Sequence, residues 1–589
     1  MREHLESSTP GQFIVDDRIV IPDNGELFTE NEGLFADDVL YHIFQFLDAE
    51  FMFKVCKRVS IQWHRTANKA PIILNFSSES SKHKRCEHYC EHWPNVELKM
   101  QLFYMSNNKN SITELNVEDC CCDRSYLSKF LISDEGSIFL KDVKRLNLAN
   151  NQLTYKDVIS ILESSYCNNL TELNISYNAI KECDMQEILN NETLKNIVSL
   201  DLSGNEFSET NMTLLCHNLT RLSRLTLADM KIGNSQQMQY FGKSFNFQNL
   251  HELSLKRTNL LSAELFENYH KMKNLTRLNL SYCNLKTKDI TEISKNSHMK
   301  HLKVLELEGN RIGNSEFTSI ISMKKLTELH LSTNSIQSID SSVSVLESNL
   351  FYLNLSDNKI DEKGIATILS KITFQNLKSL NLARNNIGHN GIIHICKSKT
   401  MRHLTFLDLT GTKIKDQGAN ALGSSSSYLK KLKVLRLDDS KLGCNGIEVM
   451  FSTGSNFKHL TELSMRDNRN IGYPNQSIEI LASCAALRNL TILDLSRCNI
   501  ADEGIKALCE NGEHFTQLSE LNVSFCNLTT RSLQYLLQCD CFQQLTKLSM
   551  AMNYIRNSNV DEESFRQHFP SLKIFNYQGY DRDNFANEE

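Results

Sequence analysis

The 589-residue chain is poor in the features that mark stapled secreted proteins and membrane proteins. It has 6 Pro and 2 Trp, and its 18 Cys are too sparse for a disulfide-stapled scaffold. No apolar run approaches the ~18 residues that a membrane span needs. The N-terminus is polar and acidic and lacks the apolar core of a signal peptide. We therefore expect an intracellular protein, cytoplasmic or nuclear or both, that does not associate with a membrane.

An excess of charge of one sign is also missing. The chain has 64 Lys and Arg against 70 Asp and Glu, a net charge of -6, and the two signs are interspersed. Binding to a nucleic-acid backbone would require a basic surface. We therefore expect a protein partner and no nucleic-acid partner.

Motifs for bond chemistry or cofactor binding are absent as well. The segment Phe241-Gly242-Lys243-Ser244 resembles the end of a phosphate loop, but Gln237 stands where that loop needs Gly. The segment from His83 to His92 holds five His and Cys residues, yet it has no C-x-x-C pair and fits no common zinc finger, so we expect a connector. Hydrolase, zinc-protease and kinase signatures are not found. The sequence thus predicts no catalytic residue, no metal and no cofactor.

What the chain does contain is one phrase, L-x-x-L-x-L-x-x-N-x-I/L, repeated about every 27 residues. Degraded copies at 112–117 and 572–577 flank sixteen good ones and should be terminal caps, which gives about 18 units. The sixteen copies begin at residues 143, 170, 197, 222, 250, 275, 302, 326, 350, 377, 404, 432, 460, 490, 518 and 545.

Each copy predicts a strand, a turn and a helix. The L-x-L core has the two-residue period of a strand, with its leucines facing inward. The remainder has helical spacing, as in 361–369 and 502–508, where acids occupy the first turn and apolar residues follow three or four apart. One unit cannot bury its own apolar face, so the units must stack. The phrase therefore predicts an α/β solenoid, a horseshoe with a parallel sheet on its concave side.

The ninth letter of the phrase should form a polar ladder behind the strands. An Asn amide there can donate to and accept from backbone groups that the turn leaves unpaired. Cys283, Cys498 and Cys526 take the position in three copies, and we interpret their thiols as structural. Asn fills it in nine copies: Asn151, Asn178, Asn205, Asn310, Asn334, Asn358, Asn385, Asn468 and Asn553.

The phrase and its unit are similar to those of the leucine-rich-repeat family, whose Asn and Cys varieties both occur here. The resemblance implies a leucine-rich-repeat solenoid that binds other proteins. The chain then divides into a flexible leader (1–33), a helical motif (34–70), a connector or N-terminal cap (71–111), the solenoid (112–580) and a tail (581–589).

The helical motif has its own pattern. Val39, Ile43 and Leu47 are spaced for an amphipathic helix, Asp48 can cap a second helix, and Val59 to Asn68 can form a third. One interpretation is a plain helical cap for the repeats. The segment also resembles the F-box, a three-helix motif that docks on the Skp adaptor of cullin-RING ubiquitin ligases. The resemblance lies in the order L-x-A-D-D-V-L-x-x-I-F-x-F-L-D, followed by V-S-x-x-W.

Carried onto this chain, the F-box resemblance implies a set of adaptor-facing residues. The family usually has Pro where this chain has Phe35, and Pro would pre-set the backbone that enters the helix. Docking should be weaker for that departure. The implied residues are Leu34, Phe35, Val39, Ile43, Phe44, Leu47, Val59 and Trp63.

An F-box followed by leucine-rich repeats implies a substrate-recognition subunit of a Skp/cullin/F-box ubiquitin ligase. The target would lie on the concave surface, where the third, fifth and seventh letters of each phrase point outward. From residue 302 onward these letters become aromatic, apolar and charged, as at an interface centre. The predicted target-binding residues are Glu306, Glu308, His330, Tyr352, Phe406, Asp408, Val434, Arg436, Asp438, Ile492 and Asp494.

The alternative function is a free-standing binding protein. The helical phrases Asn390-Gly391-Ile392-Ile393 and Asp416-Gln417-Gly418-Ala419 resemble those of ribonuclease inhibitors and of activators of Ran-type GTPases. Such an activator commonly supplies a positioned Arg or Asn, but this sequence does not single one out. The segment from Leu34 to Trp63 discriminates between the two functions.

Overall fold

A computed structural model describes residues 112–119, 124–133, 140–178, 180–230, 248–258, 273–297, 299–452, 455–472, 476–555 and 562–577, together with the backbone of β1 (Phe13–Ile14), β2 (Val20–Ile21) and β3 (Ile72–Asn75). The F-box-like motif at 34–70, with all eight predicted adaptor-facing residues, lies outside the described residues. So do the segments 83–92, 241–244 and 581–589, and nearly all of the leader and the connector.

The chain forms two compact units. The first comprises Met1–Asn259 and Asn268–Asn274, and the second comprises Leu260–Glu267 and Leu275–Glu589. In the first unit, β1 and β2 pair antiparallel, whereas β3 to β9 form a parallel ladder in chain order. The further strands of that ladder are β4 (Ile112–Asn116), β5 (Arg145–Asn147), β6 (Glu172–Asn174), β7 (Ser199–Asp201), β8 (Arg224–Thr226) and β9 (Glu252–Ser254).

The second unit has a parallel ladder of its own and a separate pair of strands. The pair consists of β13 (Leu346–Ser348) and β15 (Ile372–Phe374), which are also parallel. The ladder strands, in order, are β10 (Arg277–Asn279), β11 (Val304–Glu306), β12 (Glu328–His330), β14 (Tyr352–Asn354), β16 (Ser379–Asn381), β17 (Phe406–Asp408), β18 (Val434–Arg436), β19 (Glu462–Ser464), β20 (Ile492–Asp494), β21 (Glu520–Asn522), β22 (Lys547–Ser549) and β23 (Ile574–Asn576).

Helices return the chain from one strand to the next. The predicted helix at 361–369 is observed as Glu362–Lys371, where Asp361 caps the N-terminus through its Oδ1, 2.7 Å from the Gly364 nitrogen, and Ile365 and Ile368 are buried. The described α-helices are α1 (Arg124–Ile132), α2 (Tyr155–Leu162), α3 (Glu182–Leu189), α4 (Glu209–Asn218), α5 (Thr287–Lys295), α6 (Asn314–Ile321), α7 (Glu362–Lys371), α8 (Gly388–Lys397), α9 (Lys415–Gly423), α10 (Cys444–Ser452), α11 (Gln476–Ala482), α12 (Ala501–Asn511), α13 (Thr530–Leu537) and α14 (Glu562–His568).

Residues at the same position of successive repeats lie side by side in the ladder. Leu305 pairs with Leu329 in the ladder, and Leu329 pairs with Leu353. These leucines are at most 1% exposed, while the residues on either side of them in β12 and β14 are half-buried. The alternation confirms the predicted inward leucines and places the letters between them on the opposite face.

The predicted Asn ladder is confirmed, and it joins each repeat to the one before. Asn310 donates from Nδ2 to the Leu280 oxygen of the preceding repeat at 2.8 Å and to the Glu308 oxygen of its own turn at 3.2 Å. Its Oδ1 accepts from the backbone nitrogens of Cys283, at 3.0 Å, and Leu285, at 3.2 Å. One buried amide thus satisfies backbone groups of two repeats.

Other small polar groups replace Asn where the ladder lacks it. The thiol of Cys498 donates to the Met465 oxygen at 3.1 Å, and that of Cys526 donates to the Leu495 oxygen at 3.1 Å. Burial raises the pKa of Cys526 to about 11 and also raises the pKa of Cys498, so both thiols stay protonated. Thr412 donates from Oγ1 to the Leu409 oxygen at 2.5 Å in the same role. The ladder therefore accepts several small donors at this letter, and the buried Met230, in the copy that begins at Leu222, is an exception without a donor.

The eighth letter, just before the ladder residue, has a left-handed backbone in all sixteen copies, with φ between 44° and 70°. This conformation turns the chain out of the strand, although most of the residues there are not Gly. At Gly309 a side chain would also collide with the ring of Tyr282 from the preceding repeat. A glycine is needed there for space as well as for backbone conformation.

Two features differ from the sequence-based expectation. The first ladder begins at β3, before the expected solenoid boundary at residue 112, because Ile72–Asn75 pairs with Ile112–Asn116. The repeat that begins at Leu326 has the strand β13 where the other phrases predicted a helix. Serines between Gln337 and Val345 disfavour a helix by local bonding, as when Ser342 donates from Oγ to Asp340 at 2.8 Å.

The ladder predicts a large difference between two adjacent asparagines. Asn385 is 3% exposed, donates to the oxygens of Leu355, Leu382 and Ala383, and accepts from the Ile360 nitrogen at 3.0 Å. Asn385→Ala should lower the free energy of unfolding by roughly 2–4 kcal/mol, because buried backbone groups lose their partners. Asn386→Ala, at the exposed next position, should change it by less than about 0.5 kcal/mol. Urea unfolding followed by circular dichroism measures both, and equal effects would contradict the ladder's role.

Candidate protein-binding surface

The outward letters of the second unit lie together on one face of its ladder. We call this the strand face and define it by the third, fifth and seventh letters from Val304 to Ser496. The structure places all the predicted target-binding residues there, on strands or directly after them. Most are half-buried, since neighbouring strands about 4.8 Å apart shield one another's side chains. Their tips remain accessible to a partner.

The N-terminal part of the strand face holds an aromatic pair among acids. The rings of His330 and Tyr352 have centroids 4.6 Å apart. Burial, followed by the carboxylates of Glu308, Glu328 and Asp408, raises the pKa of Tyr352, so its hydroxyl stays neutral. Tyr352 therefore offers an apolar ring and a hydrogen-bonding hydroxyl within a negative field.

Glu306 beside this pair is already satisfied. It accepts from Arg277 Nη1 at 3.2 Å and from Asn279 Nδ2 at 2.7 Å, both on the neighbouring strand β10. Its charge is therefore less available to a partner than that of Glu308.

The C-terminal part of the strand face is organised around one guanidinium. Arg436 donates from Nε and Nη2 to Glu462 Oε1, at 3.0 and 2.7 Å, and its guanidinium carbon lies 5.6 Å from the centre of the Phe406 ring. Burial works against its charge, but the bond to Glu462 and the charges of Glu462, Asp408 and Asp438 raise its pKa overall. Three adjacent repeats thus fix one cation against an aromatic ring.

Asp408, Asp438 and Asp494 lie in the same part of the strand face as the Arg436 guanidinium. Asp438 accepts from Ser464 Oγ at 2.5 Å and from the Arg466 nitrogen at 2.9 Å. Burial raises the pKa of Asp438, these two bonds offset part of the rise, and the charges of Asp494 and Asp408 add to it. Asp408 and Asp494 both repel Asp438, which makes this part of the strand face a favourable place for a partner's cation.

The two parts are separated by a strip of small side chains. Strand β16 lies between β14 and β17, and its outward letters are Ser379, Asn381 and Ala383. Val434 and Ile492, both half-buried, provide apolar surface beside Arg436 and Asp494. The predicted residues therefore form two clusters, separated by the small side chains of β16.

Sequence reasoning missed three residues of these clusters: Glu328, Glu462 and Ser464. Each occupies an outward letter, so the same rule would have found them had every letter been taken. Between Val304 and Ser524 the outward letters carry only two Lys or Arg residues, Arg436 and Arg466. Their acids are Glu306, Glu308, Glu328, Asp408, Asp438, Glu462, Asp494 and Glu520.

The outward letters of the first unit have a different character. Arg145 Nη2 lies 2.5 Å from Glu114 Oε2, and Arg224 Nη2 lies 2.7 Å from Glu172 Oε1. The first of these ion pairs joins the neighbouring strands β4 and β5, the second reaches from β8 across β7 to β6, and the other outward letters are small or polar. The first unit thus lacks the combination of aromatic rings and excess carboxylates among its described residues.

A polar cavity of about 910 Å³ lies in the second unit, beside the repeat without a helix. Lys359, Lys363 and Lys413 line it together with Asp361 and Asp439, so charges of both signs are present. The carboxylate Oδ1 of Asp361 is engaged as the α7 cap. The lining contains no arrangement that points to one ligand.

Two kinds of site are not found in the described part of the chain. No group of three or more His, Cys, Asp or Glu side chains there is arranged to hold a metal ion. Within the same residues, no helix combines the length and the apolar character needed to cross a bilayer.

Comparison with known proteins agrees with this architecture. Three leucine-rich-repeat models match the chain, the first at residues 300–360, the second at 166–181, 375–396, 400–423 and 486–509, and the third at 274–296. These matches do not cover residues 34–70. No curated protein sequence matches the chain.

Similar solved structures include a leucine-rich-repeat protein of Leptospira interrogans, 20% identical, with a TM-score of 0.39, covering 75% of this chain and 92% of that one. An internalin of Listeria monocytogenes is 15% identical, with a TM-score of 0.27, covering 82% of this chain and 94% of that one. The segments that the three leucine-rich-repeat models match fall on the strand and turn repeats described above. The chain therefore has the leucine-rich-repeat fold.

Proposed function

We propose that this protein is the substrate-recognition subunit of a Skp/cullin/F-box ubiquitin ligase and holds its target on the strand face. The observation that carries the ligase half is the pattern from Leu34 to Trp63, which resembles an F-box and precedes the repeats. The observation that carries the capture half is the pair of aromatic and charged clusters on the strand face. The leucine-rich repeats supply the scaffold that carries the two clusters of the strand face.

In this function the chain does no bond chemistry of its own. The N-terminal motif binds the adaptor, the strand face binds the target, and the two contacts raise the effective concentration of target lysines near the ubiquitin-conjugating enzyme. No cofactor, metal or catalytic residue is required. The work would take place in the cytoplasm or the nucleus, without nucleic acid or membrane as a partner.

The strand face indicates the chemistry of the target. Asp408 and Asp494 both repel Asp438, and a Lys or Arg of the target would relieve that repulsion. The rings of Tyr352 and Phe406 offer apolar contact on either side of the low strip formed by β16. We therefore propose a target segment that carries basic side chains together with at least one apolar or aromatic anchor.

The adaptor contact is tested with the full chain and a purified Skp adaptor. Leu47→Ala with Trp63→Ala should weaken binding by at least about tenfold, because both lie at positions that the F-box family buries against the adaptor. Gln45→Ala with His64→Ala, at neighbouring polar positions, is the matched control and should leave binding unchanged. Biolayer interferometry gives both affinities. If the unaltered chain does not bind the adaptor, the free-standing alternative is favoured, and stimulation of GTP hydrolysis would favour its GTPase-activating form.

The target contact is tested by replacing Tyr352, Phe406 and Arg436 together with Ala. The proteins that the unaltered chain captures are identified by mass spectrometry, and the triple variant should fail to capture them. Their capture by the unaltered chain should decrease as salt is raised from about 50 to about 500 mM, because the surface is acidic. The melting temperature should change by less than about 3 °C, since the Arg436 ion pair is partly exposed.

The control for that experiment replaces Glu520, Lys547 and Ile574 with Ala. These residues occupy third letters of β21, β22 and β23 in the same ladder, outside the two clusters. Capture should be retained in this control. Retained capture in the Tyr352, Phe406 and Arg436 variant would contradict the proposed target surface.

A further inference from the structure

Three cysteines of the second unit meet at the ends of two neighbouring helices. Cys509 lies near the end of α12, and Cys539 and Cys541 follow α13. The sulfurs of Cys541 and Cys539 lie 3.2 and 3.9 Å from the same atom, the carbonyl oxygen of Cys509. The Cys509 and Cys539 thiols are close enough for each to shift the pKa of the other. These thiols are about 30 residues apart in sequence and adjacent only because the repeats stack.

The three thiols do not share one electrostatic environment. Hydrogen bonds from Cys509 and from Cys541, together with the nearby His568 imidazole, outweigh burial and lower the pKa of Cys539 to about 7. His568 also lies 2.9 Å, through Nε2, from the carbonyl oxygen of Cys539. Burial, and then the charges of Cys539, Asp540 and Glu513, raise the pKa of Cys541 to about 12. Cys539 is therefore the most readily ionised thiol of the three.

Cys509 is held in the protonated state by its neighbour. Its pKa is raised first by the hydrogen bond to Cys539, then by burial and by the negative charge of Cys539. If Cys539 loses its negative charge through oxidation, the first and third of these causes disappear. Cys509 then becomes a competent second thiol.

The other cysteines that the structure describes lack this arrangement. Burial raises the pKa of Cys167 and of Cys396 to about 12, so these thiols stay protonated. Cys183 is exposed, and its sulfur lies 3.6 Å from Asp184 Oδ1. Because no set of three His, Cys, Asp or Glu side chains in the described residues is arranged for a metal, the thiol group is better suited to covalent chemistry.

We propose that Cys539 and Cys509 are a hydroperoxide-reactive thiol pair that closes a disulfide between adjacent repeats. The Cys539 thiolate attacks one oxygen of a hydroperoxide, the O–O bond breaks, and Cys539 becomes a sulfenic acid as hydroxide or alkoxide leaves. The Cys509 sulfur then forms the S–S bond and displaces the sulfenic hydroxyl, which departs as water with the Cys509 proton. Two thiols lose two electrons, and the hydroperoxide gains them.

The test uses the full-length, fully reduced protein and hydrogen peroxide at pH 7. After brief exposure, free thiols are alkylated, and the protein is digested without reductant for mass spectrometry. We expect a linked peptide that joins Cys509 to Cys539, with Cys539 consumed about tenfold faster than Cys183. Cys183→Ser is the control and should leave the link unchanged. Cys539 that remains alkylated while Cys183 is oxidised would overturn the proposal.

Two further variants assign the roles. In Cys509→Ser the second thiol is missing, so the sulfenic acid on Cys539 should persist and be trapped by a 1,3-diketone reagent. Cys541→Ser should still form the link from Cys509 to Cys539. A link from Cys539 to Cys541 in the unaltered chain, or no trapped adduct in a Cys509→Ser protein with unchanged circular dichroism, would overturn the assignment.

Discussion

The structure depends on the pairing of the buried backbone groups that each turn leaves behind its strand. The acceptor for the turn of one repeat comes from the next repeat. Asn178 Oδ1 accepts from the nitrogens of Asn151 and Leu153, each at 3.0 Å, and Asn205 Oδ1 does the same for Asn178 and Ile180. These turns therefore depend on the next repeat for an acceptor, and an unsatisfied buried amide costs free energy. The repeats must stack, and they must stack with equal letters side by side.

This register aligns the outward residues of neighbouring strands in rows across the ladder, and these rows form the strand face. The contact of Arg436 with Phe406 and Glu462 uses three repeats, and none of the three residues is needed by the ladder. Scaffold letters and surface letters are thus separate in the sequence. The copies can keep their inward apolar residues and, in nine of sixteen, the ladder Asn, while neighbouring outward letters change from Ser and Asn to Tyr, Phe and Asp. A surface of this kind can be adapted to a new partner without loss of the fold.

The sequence predicts the fold well because the scaffold letters are explicit. Leu305, Leu329 and Leu353 stand in one register, and the alternation of buried and half-buried residues in β12 and β14 follows from the L-x-L core. Strand β3 was missed because Ile72–Asn75 lacks the leucine three residues before an L-x-L core. Strand β13 was missed because its repeat keeps the phrase while Ser342 and its neighbours bond locally in place of a helix.

The surface was predicted less completely, for a physical reason. Outward letters can be read one at a time, but their partners depend on the neighbouring repeat. Glu462 is unremarkable in its own phrase and becomes important because β19 places it beside Arg436. The meeting of Cys509 with Cys539 depends in the same way on two helix ends, whose lengths the phrase does not fix. What the sequence leaves open is therefore the set of contacts between repeats.

The same nearest-neighbour construction limits how far a local change can act. A bond between Cys509 and Cys539 would join the repeats that begin at Leu490 and Leu518, on the helix side of the ladder. Stability in a stacked solenoid is approximately a sum of intrinsic repeat terms and interfaces between neighbours. Oxidation should therefore stabilise this one interface, whereas Phe406 and Arg436 lie three and two repeats, respectively, before the first of the joined repeats. A redox change at the thiols would then alter the lifetime of the C-terminal repeats, including the part of the strand face that carries Ile492 and Asp494, without altering the contact between Phe406 and Arg436.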